Sequence, residues 1–327
     1  MQILILGGTA MLGRSIAQAG PDRGHALTCL ARGTSSTPPE GATFVQADRD
    51  DPTSFEKVAG TWDAVVDVGR DPGRERAAVA ALDARHWVYI SSASVYTRSD
   101  QPEQAEDAPI HEPLAADRLT RPEDYGSAKV ACENEVQSAD APAAIIRAGL
   151  IGGAGDDTSR SGYYPWRFAH PSGPDVLVPD DLDFPCALID VADLAAWVIT
   201  LAEQRTEGVF NATGPTTTLG EVLTRAHSVA GAPSSLAIRP VPLSVLESEG
   251  VAGWMGQKSL PLWVPDSDFR HVATLNTDKA RAHGLVTRPL AETLADALAF
   301  EDQRTTGMGA GLTDAEDQEL RAAAMIG

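Results

Sequence analysis

Lysine is scarce in this chain. Lys and Arg together number 26 of 327 residues, and only Lys57, Lys129, Lys258 and Lys279 are lysines. Acidic residues number 46, which sets the formal net charge at −20. That balance excludes a protein that coats nucleic acid or an anionic membrane, because phosphate contacts need a basic face. Cysteine is nearly absent: Cys29, Cys132 and Cys186 cannot all pair and show no CxxC spacing. A disulfide framework is excluded, and reduced thiols in the cytoplasm are expected. No apolar run approaches the ~20 residues of a membrane span. Met1 leads at once into an apolar segment, which leaves no room for a signal peptide. The seven histidines show neither HxxxH nor HExxH, and no GxSxG elbow occurs, so no metal site and no serine hydrolase are expected. What remains is 43% hydrophobic, with 29 Gly and 22 Pro. That is ordinary globular composition, long enough for one large α/β domain or two unequal ones.

Short apolar runs alternate with helical stretches through the first half. Strands are expected at 3–6, 26–30, 43–45, 64–68, 87–90 and 144–146, and helices at 10–19, 53–59, 73–84 and 124–139. Asp71-Pro72 reads as a cap followed by a helix-starting proline. Continuous apolar strands between helices mean a parallel sheet covered on both faces. The fold class is therefore α/β, a doubly wound parallel sheet of Rossmann type with a smaller C-terminal substrate-binding lobe. Residues 1–150 are expected to bind the dinucleotide and 151–327 mainly the substrate, with part of 186–212 returning to the sheet. Residues 98–122 form a long polar loop of the kind that usually serves function. Residues 152–185 read as loops around a cleft. Helices are expected again at 219–230, 276–283 and 289–304, with a linker and a short Ala-rich helix at the end. Asp190 reads as an N-cap with Asp193 completing the box.

Gly7-Gly8-Thr9-Ala10-Met11-Leu12-Gly13 directly follows the first strand and opens the first helix. A diphosphate needs a tight turn, close backbone approach and free N–H groups at a helix N-terminus. The glycines supply the first two, and Ala10 takes the middle-glycine place. Gly8 to Ser15 also approaches a P-loop, but Arg14 stands where that mechanism needs lysine. In NAD sites an acid ends the second strand and holds the ribose 2′-OH. Here the strand runs out as Leu30-Ala31-Arg32-Gly33. Arg32, with help from Arg14, suits a 2′-phosphate because guanidinium offers fixed, charged donors. NADP(H) is the expected cofactor and NAD(H) the alternative. Asp48, after the third strand, is placed to accept from the adenine amino group or to cap its own loop.

Tyr125-Gly-Ser-Ala-Lys129 puts Tyr and Lys four apart on one helix face. Proton exchange with a carbonyl or alcohol oxygen near neutral pH needs an acid stronger than an ordinary phenol, and a nearby ammonium favours the phenolate. A strand ending Val88-Tyr89-Ile90-Ser91-Ser92-Ala93-Ser94-Val95-Tyr96 offers three serines to complete the oxygen-binding pair. With these pieces the chain resembles an extended short-chain dehydrogenase/reductase of the NAD-dependent epimerase/dehydratase type. The resemblance runs through residues 4–13, 24–33, 88–96, 125–129, 145–153, 187–197 and 208–215 in the family's order. Residues near 261–265 are similar to a bacterial subgroup labelled 2′-hydroxyisoflavone-reductase-like. The resemblance implies Ser92 as the catalytic serine, with Ser91 and Ser94 as fallbacks. It implies Tyr125 as acid/base and Lys129 as its helper and a cofactor contact. It also implies cofactor contacts from the 67–70 turn (Val68, Gly69) and the 148–151 loop (Leu150), and it allows a homodimer.

Tyr163, Tyr164, Trp166 and Arg167 could line a pocket for a ring-bearing or anionic small molecule, or pack between the lobes; Trp254 and Trp263 pose the same choice. The expected function is an NAD(P)-dependent oxidoreductase of a carbonyl or alcohol. The alternatives are a sugar-nucleotide epimerase that retains NAD, and a non-catalytic cofactor sensor or RNA-binding relative. Ala93-Ser94 stands where related dehydratases carry an Asp-Glu pair, which argues against dehydration.

Overall fold

The computed structural model describes residues 1–34, 40–51 and 53–326. Seven parallel strands form the central sheet: β1 Gln2–Leu6, β2 Ala26–Ala31, β3 Ala42–Gln46, β4 Ala64–Asp67, β5 Trp87–Ser92, β6 Ala143–Ala148 and β7 Gly208–Ala212. Their order is β7-β6-β5-β4-β1-β2-β3. The strand order reverses between β1 and β4, where Leu6 pairs with Asp67 on one side and Leu30 on the other. That reversal opens a crevice at the carboxyl ends of the strands.

The apolar runs bury both faces, as parallel strands do. Ile3 and Ile5 face one way, onto α1 (Met11–Ala19) and α5 (Val191–Gln204), with Ile16, Leu194, Val198 and Leu201 in that core. Leu4 and Leu6 face the other way, onto α2 (Pro72–Ala81) and α3 (Tyr125–Gln137), with Ala78, Cys132 and Val136. A third core builds the second lobe. It gathers Tyr163, Tyr164 and Phe168 of α4 (Tyr163–Ala169) with Val176, Leu223, Trp263, Leu294 and Leu320.

Several expectations need correction. Residues 152–185 are not all loop: they contain α4 and the strand Asp175–Pro179, which pairs in parallel with Ala237–Val241. The continuous apolar run Val176-Leu177-Val178 is short and flanked by Gly, Pro and Asp, which masks the strand in the sequence. The stretch 53–59 is a single 3₁₀ turn, Ser54–Val58. Asp71 stands at the N-cap of α2, yet its side chain accepts from the Leu119 amide at 3.0 Å and pairs with Arg74. It ties down the long loop instead of capping the helix. Asp190 does cap α5, accepting from the Ala192 amide at 2.8 Å, but Asp193 turns to Arg288 and closes no box. Among the described residues no helix is long and apolar enough to cross a membrane.

Candidate active site

The glycine-rich turn leaves β1 between the ends of β2 and β4. The Gly7 amide donates to the Leu30 carbonyl at 3.0 Å. Gly7 has φ +102°, and a Cβ there would lie 2.6 Å from Val68 Cγ2. A Cβ on Gly13 would meet the Gly7 carbonyl oxygen at 2.4 Å, so α1 packs on the turn only because position 13 is glycine. Ala10, at the N-cap of α1, is exposed and provides no side-chain cap, and the first turn carries no acid. Among the described residues, then, neither a side-chain cap nor a first-turn acid occupies this end of the helix, and such an end suits a diphosphate. Thr9 and Gly13 are buried, while Met11, Leu12 and Arg14 are half-buried. Arg32 is exposed where β2 ends. Asp48 is exposed, and its Oδ1 accepts from the Asp50 amide at 3.1 Å, the loop-capping arrangement.

Of the three serines after Ile90, Ser91 stands apart from Ser92 and exposed Ser94. Ser91 is buried and donates to Glu133 Oε1 at 2.5 Å, which commits it to the interior. Glu133 in turn pairs with Arg147 at 2.8 Å. Ser92 is half-buried at the open end of β5, where its hydroxyl accepts from the Ser94 amide and donates to Ser94 Oγ, both at 3.1 Å. The strand's period of two decides this, since neighbours on a strand face opposite ways. The first turn of α3 presses on the same place. A Cβ on Gly126 would fall 2.1 Å from the Ser94 carbonyl oxygen and 2.8 Å from His111 Cδ2. Tyr125, half-buried, stands immediately before that contact.

Lys129 is 3% exposed and reaches into the sheet. Its ammonium donates to the Gly69 carbonyl at 2.6 Å, the Ile90 carbonyl at 2.7 Å and the Tyr89 hydroxyl at 2.9 Å. Tyr89 also donates to the Gly69 carbonyl, at 3.1 Å, and burial drives its phenol well above its ordinary value. Beneath Gly69 lies a buried charge cluster that sequence reasoning missed. Arg49 forks onto Asp67 at 2.9 and 2.8 Å and reaches Glu75 at 3.1 Å. Glu75 Oε1 is buried with no hydrogen-bond partner, and a Cβ on Gly69 would lie 2.1 Å from it. Burial first, then the Asp67 carboxylate, pushes the Glu75 carboxyl up to about 8, against the pull of Arg49 and Lys129. A signal existed: Glu75 shares a helix face with Ala78 and Leu82, at spacings of three and seven.

The expected substrate wall is corrected. Tyr163 and Tyr164 are fully buried in the core of the second lobe, and Arg167, 1% exposed, donates to Asp314 and to the Leu312 carbonyl. Trp166 is half-buried over Arg167, with centroid and guanidinium 5.1 Å apart. Tyr163 and Tyr164, on this short helix, became packing. Trp263 is buried in the same core and also lines a shallow hollow with Asp181, Pro265 and Arg270. Trp254 is only partly buried and lies under Arg160, 5.3 Å from ring centroid to guanidinium. Leu150 packs in the core of the second lobe while its carbonyl accepts from the Ile189 amide at 2.9 Å. A hollow of about 480 Å³ lined by Gln137, Asp140, Pro142 and Glu207 opens beside the starts of β6 and β7. It lies at the opposite end of the strands from this crevice.

A family model described as the NAD dependent epimerase/dehydratase family matches residues 3–83 and 76–213. No curated protein matches the chain by sequence. Solved structures share the architecture. A candidate epimerase from Burkholderia cenocepacia is 22% identical with a TM-score of 0.68, covering 92% of this chain and 98% of that one. WbmG from Bordetella bronchiseptica, solved with NAD and UDP, is 19% identical with a TM-score of 0.65, covering 92% and 94%. UDP-glucose 4-epimerase from Thermotoga maritima, solved with UDP-glucose, is 15% identical with a TM-score of 0.66, covering 93% and 99%.

Proposed function

The chain belongs to the NAD-dependent epimerase/dehydratase family, and from that premise we propose that it is a nicotinamide-dependent oxidoreductase of a carbonyl or alcohol, NADP(H) preferred. One observation supports the reading most: α3 docks through Gly126 on the Ser94 carbonyl, and the Ser94 amide in turn holds the Ser92 hydroxyl, so the helix start that carries Tyr125 adjoins the turn that carries Ser92. The turn from Gly7 to Gly13, with Thr9, Ala10, Met11 and Leu12, would hold the diphosphate on the N-terminus of α1. Val68, Gly69 and Leu150 would line its course. Arg32 and Arg14 would face a 2′-phosphate, and Asp48 would offer its second oxygen to the adenine. Residues 1–150 would thus serve the cofactor and 151–327 mainly the substrate.

The cofactor, once bound, supplies the hydride or accepts it. Ser92 donates a hydrogen bond to the substrate oxygen, and Tyr125 exchanges the proton there. Lys129 would surrender one of its three protein acceptors to a ribose hydroxyl while its charge supports Tyr125. Thermal shifts with NADPH, NADH, NADP and NAD test the cofactor, followed by a carbonyl and alcohol panel with the best of them. NADPH should raise Tm most, and Tyr125→Phe should cost about 10²–10⁴ in turnover. Full turnover in Tyr125→Phe refutes the mechanism.

A second reading, an epimerase that retains NAD, draws on the structural neighbours solved with NAD, UDP or UDP-glucose. The absence of an acid after Leu30 weighs against it. Protein that purifies with bound NAD and does not oxidise NADPH supports this second reading.

A further inference from the structure

Lys129 uses its whole donor capacity inside the protein. An ammonium carries three N–H groups. Here they go to the Gly69 carbonyl at 2.6 Å, the Ile90 carbonyl at 2.7 Å and the Tyr89 hydroxyl at 2.9 Å. Gly69 belongs to the turn that meets the glycine-rich turn, since a Cβ on Gly7 would lie 2.6 Å from Val68 Cγ2. The ammonium is thus bonded one residue along from the wall of the crevice. A ribose hydroxyl arriving there meets a cation whose three N–H groups are already taken.

The three acceptors are not equal. Tyr89 is fully buried and donates its own proton to the Gly69 carbonyl at 3.1 Å. Its ring also faces the cation, with Nζ 4.6 Å from the centroid. The bond from Lys129 to Tyr89 is the longest of the three. If it opens, the Tyr89 hydroxyl keeps its Gly69 partner and the ammonium keeps the ring face. Opening a carbonyl bond would give up a shorter contact, and at Gly69 it would release the turn from α3.

We infer that Tyr89 is a positioning residue whose hydroxyl holds the third N–H of Lys129 while the crevice is empty and yields it to a hydroxyl of the nicotinamide ribose when a dinucleotide enters. A buried ammonium N–H without a partner is destabilising, and Tyr89 prevents that in the empty protein. The same bond competes with the cofactor. Removing the Tyr89 hydroxyl should therefore tighten cofactor binding, which is the opposite of losing a contact to the cofactor. The inference rests on the proposed function, because it takes the second ribose of the dinucleotide to lie at Lys129.

The test is Tyr89→Phe in the full chain, which keeps the ring and removes only the hydroxyl. Calorimetry with NADPH, NADH and ADP reads the affinities, and ADP lacks the second ribose. Both dinucleotides should bind about three- to ten-fold tighter, the worth of one hydrogen bond, with ADP within about two-fold of wild type. Without ligand the variant's Tm should fall below that of wild type, and saturating NADPH should narrow the gap. A variant that folds only with NADPH present gives the same answer. In the Lys129→Met background, Tyr89→Phe should leave NADPH affinity unchanged. Unchanged or weaker dinucleotide binding overturns the inference. So do an equal change for ADP, an effect that survives Lys129→Met, and a variant unfolded with and without NADPH. Wild-type protein that binds neither dinucleotide overturns the inference and the proposed function together. The proposed function fails separately if NADH binds better than NADPH, or if Tyr125→Phe turns over normally, with the Tyr89 effect intact.

Discussion

Glu75→Gln should remove a loss of stability that the wild-type protein suffers as pH rises through neutrality. Glu75 is fully buried on α2, one oxygen on Arg49 and the other without a partner. Its carboxyl stands near 8 in the folded protein against an ordinary 4.5. The folded state therefore holds a proton that the unfolded chain releases near 4.5. The stabilisation is complete below that value and is lost as pH climbs to about 8, at up to ~1.4 kcal/mol per pH unit. From pH 5.5 to 7.5 the loss is about 2.5 kcal/mol on this count. Glutamine has the same shape and no proton to lose, so the gap between variant and wild type should widen by that amount in the variant's favour. Urea unfolding followed by circular dichroism at pH 5.5, 6.5 and 7.5, at one ionic strength, measures the gap and cancels the other 45 acids. Parallel curves, with a gap constant to within about 0.5 kcal/mol, would refute the argument. They would mean that Glu75 is ionised when folded and that Arg49 and Lys129 together outweigh its burial.

Three further outcomes follow from the same geometry. Ser91→Ala should cost about 1–3 kcal/mol of stability by stripping a donor from buried Glu133, with little change in kcat, whereas Ser92→Ala should lose turnover with Tm nearly unchanged; chemical denaturation and kinetics on both variants separate the two. Gly126→Ala places a Cβ 2.1 Å from a backbone oxygen, so α3 must shift. The cost should be about 1–3 kcal/mol, and turnover should fall further than stability explains, read as kcat at a temperature where the variant is fully folded. Arg32→Ala should lower the NADPH-to-NADH ratio of kcat/KM by about ten-fold or more, the worth of one charge-assisted contact; an unchanged ratio removes the 2′-phosphate argument.

The Rossmann half was legible because its signals are local. A glycine trio between a strand and a helix, apolar runs too short for helices, and Tyr and Lys four apart are each contained within a few residues. The second lobe was harder. Tyr163 and Tyr164 look the same in sequence whether they line a pocket or fill a core, and the choice was made by Leu223, Leu294 and Leu320, up to about 160 residues away. Asp71 shows the same limit at short range: a sound N-cap residue was drawn away by the Leu119 amide.

By itself the sequence determined the parallel α/β sheet, the glycine turn at its centre and the spacing that sets Tyr125 and Lys129 one turn apart on α3, because strand burial and helix periodicity are properties of neighbouring residues. It also determined that positive charge would be rare in an acidic chain. Only the tertiary structure decided that Ser91 is committed to the interior while Ser92 stays half-buried, since the two differ by which face of β5 they occupy. It likewise decided that Lys129 is anchored to Gly69, Tyr89 and Ile90, and that Glu75 sits beneath it. Those outcomes follow from the burial of charge between elements that meet only once the sheet has formed, and no local pattern carries that information.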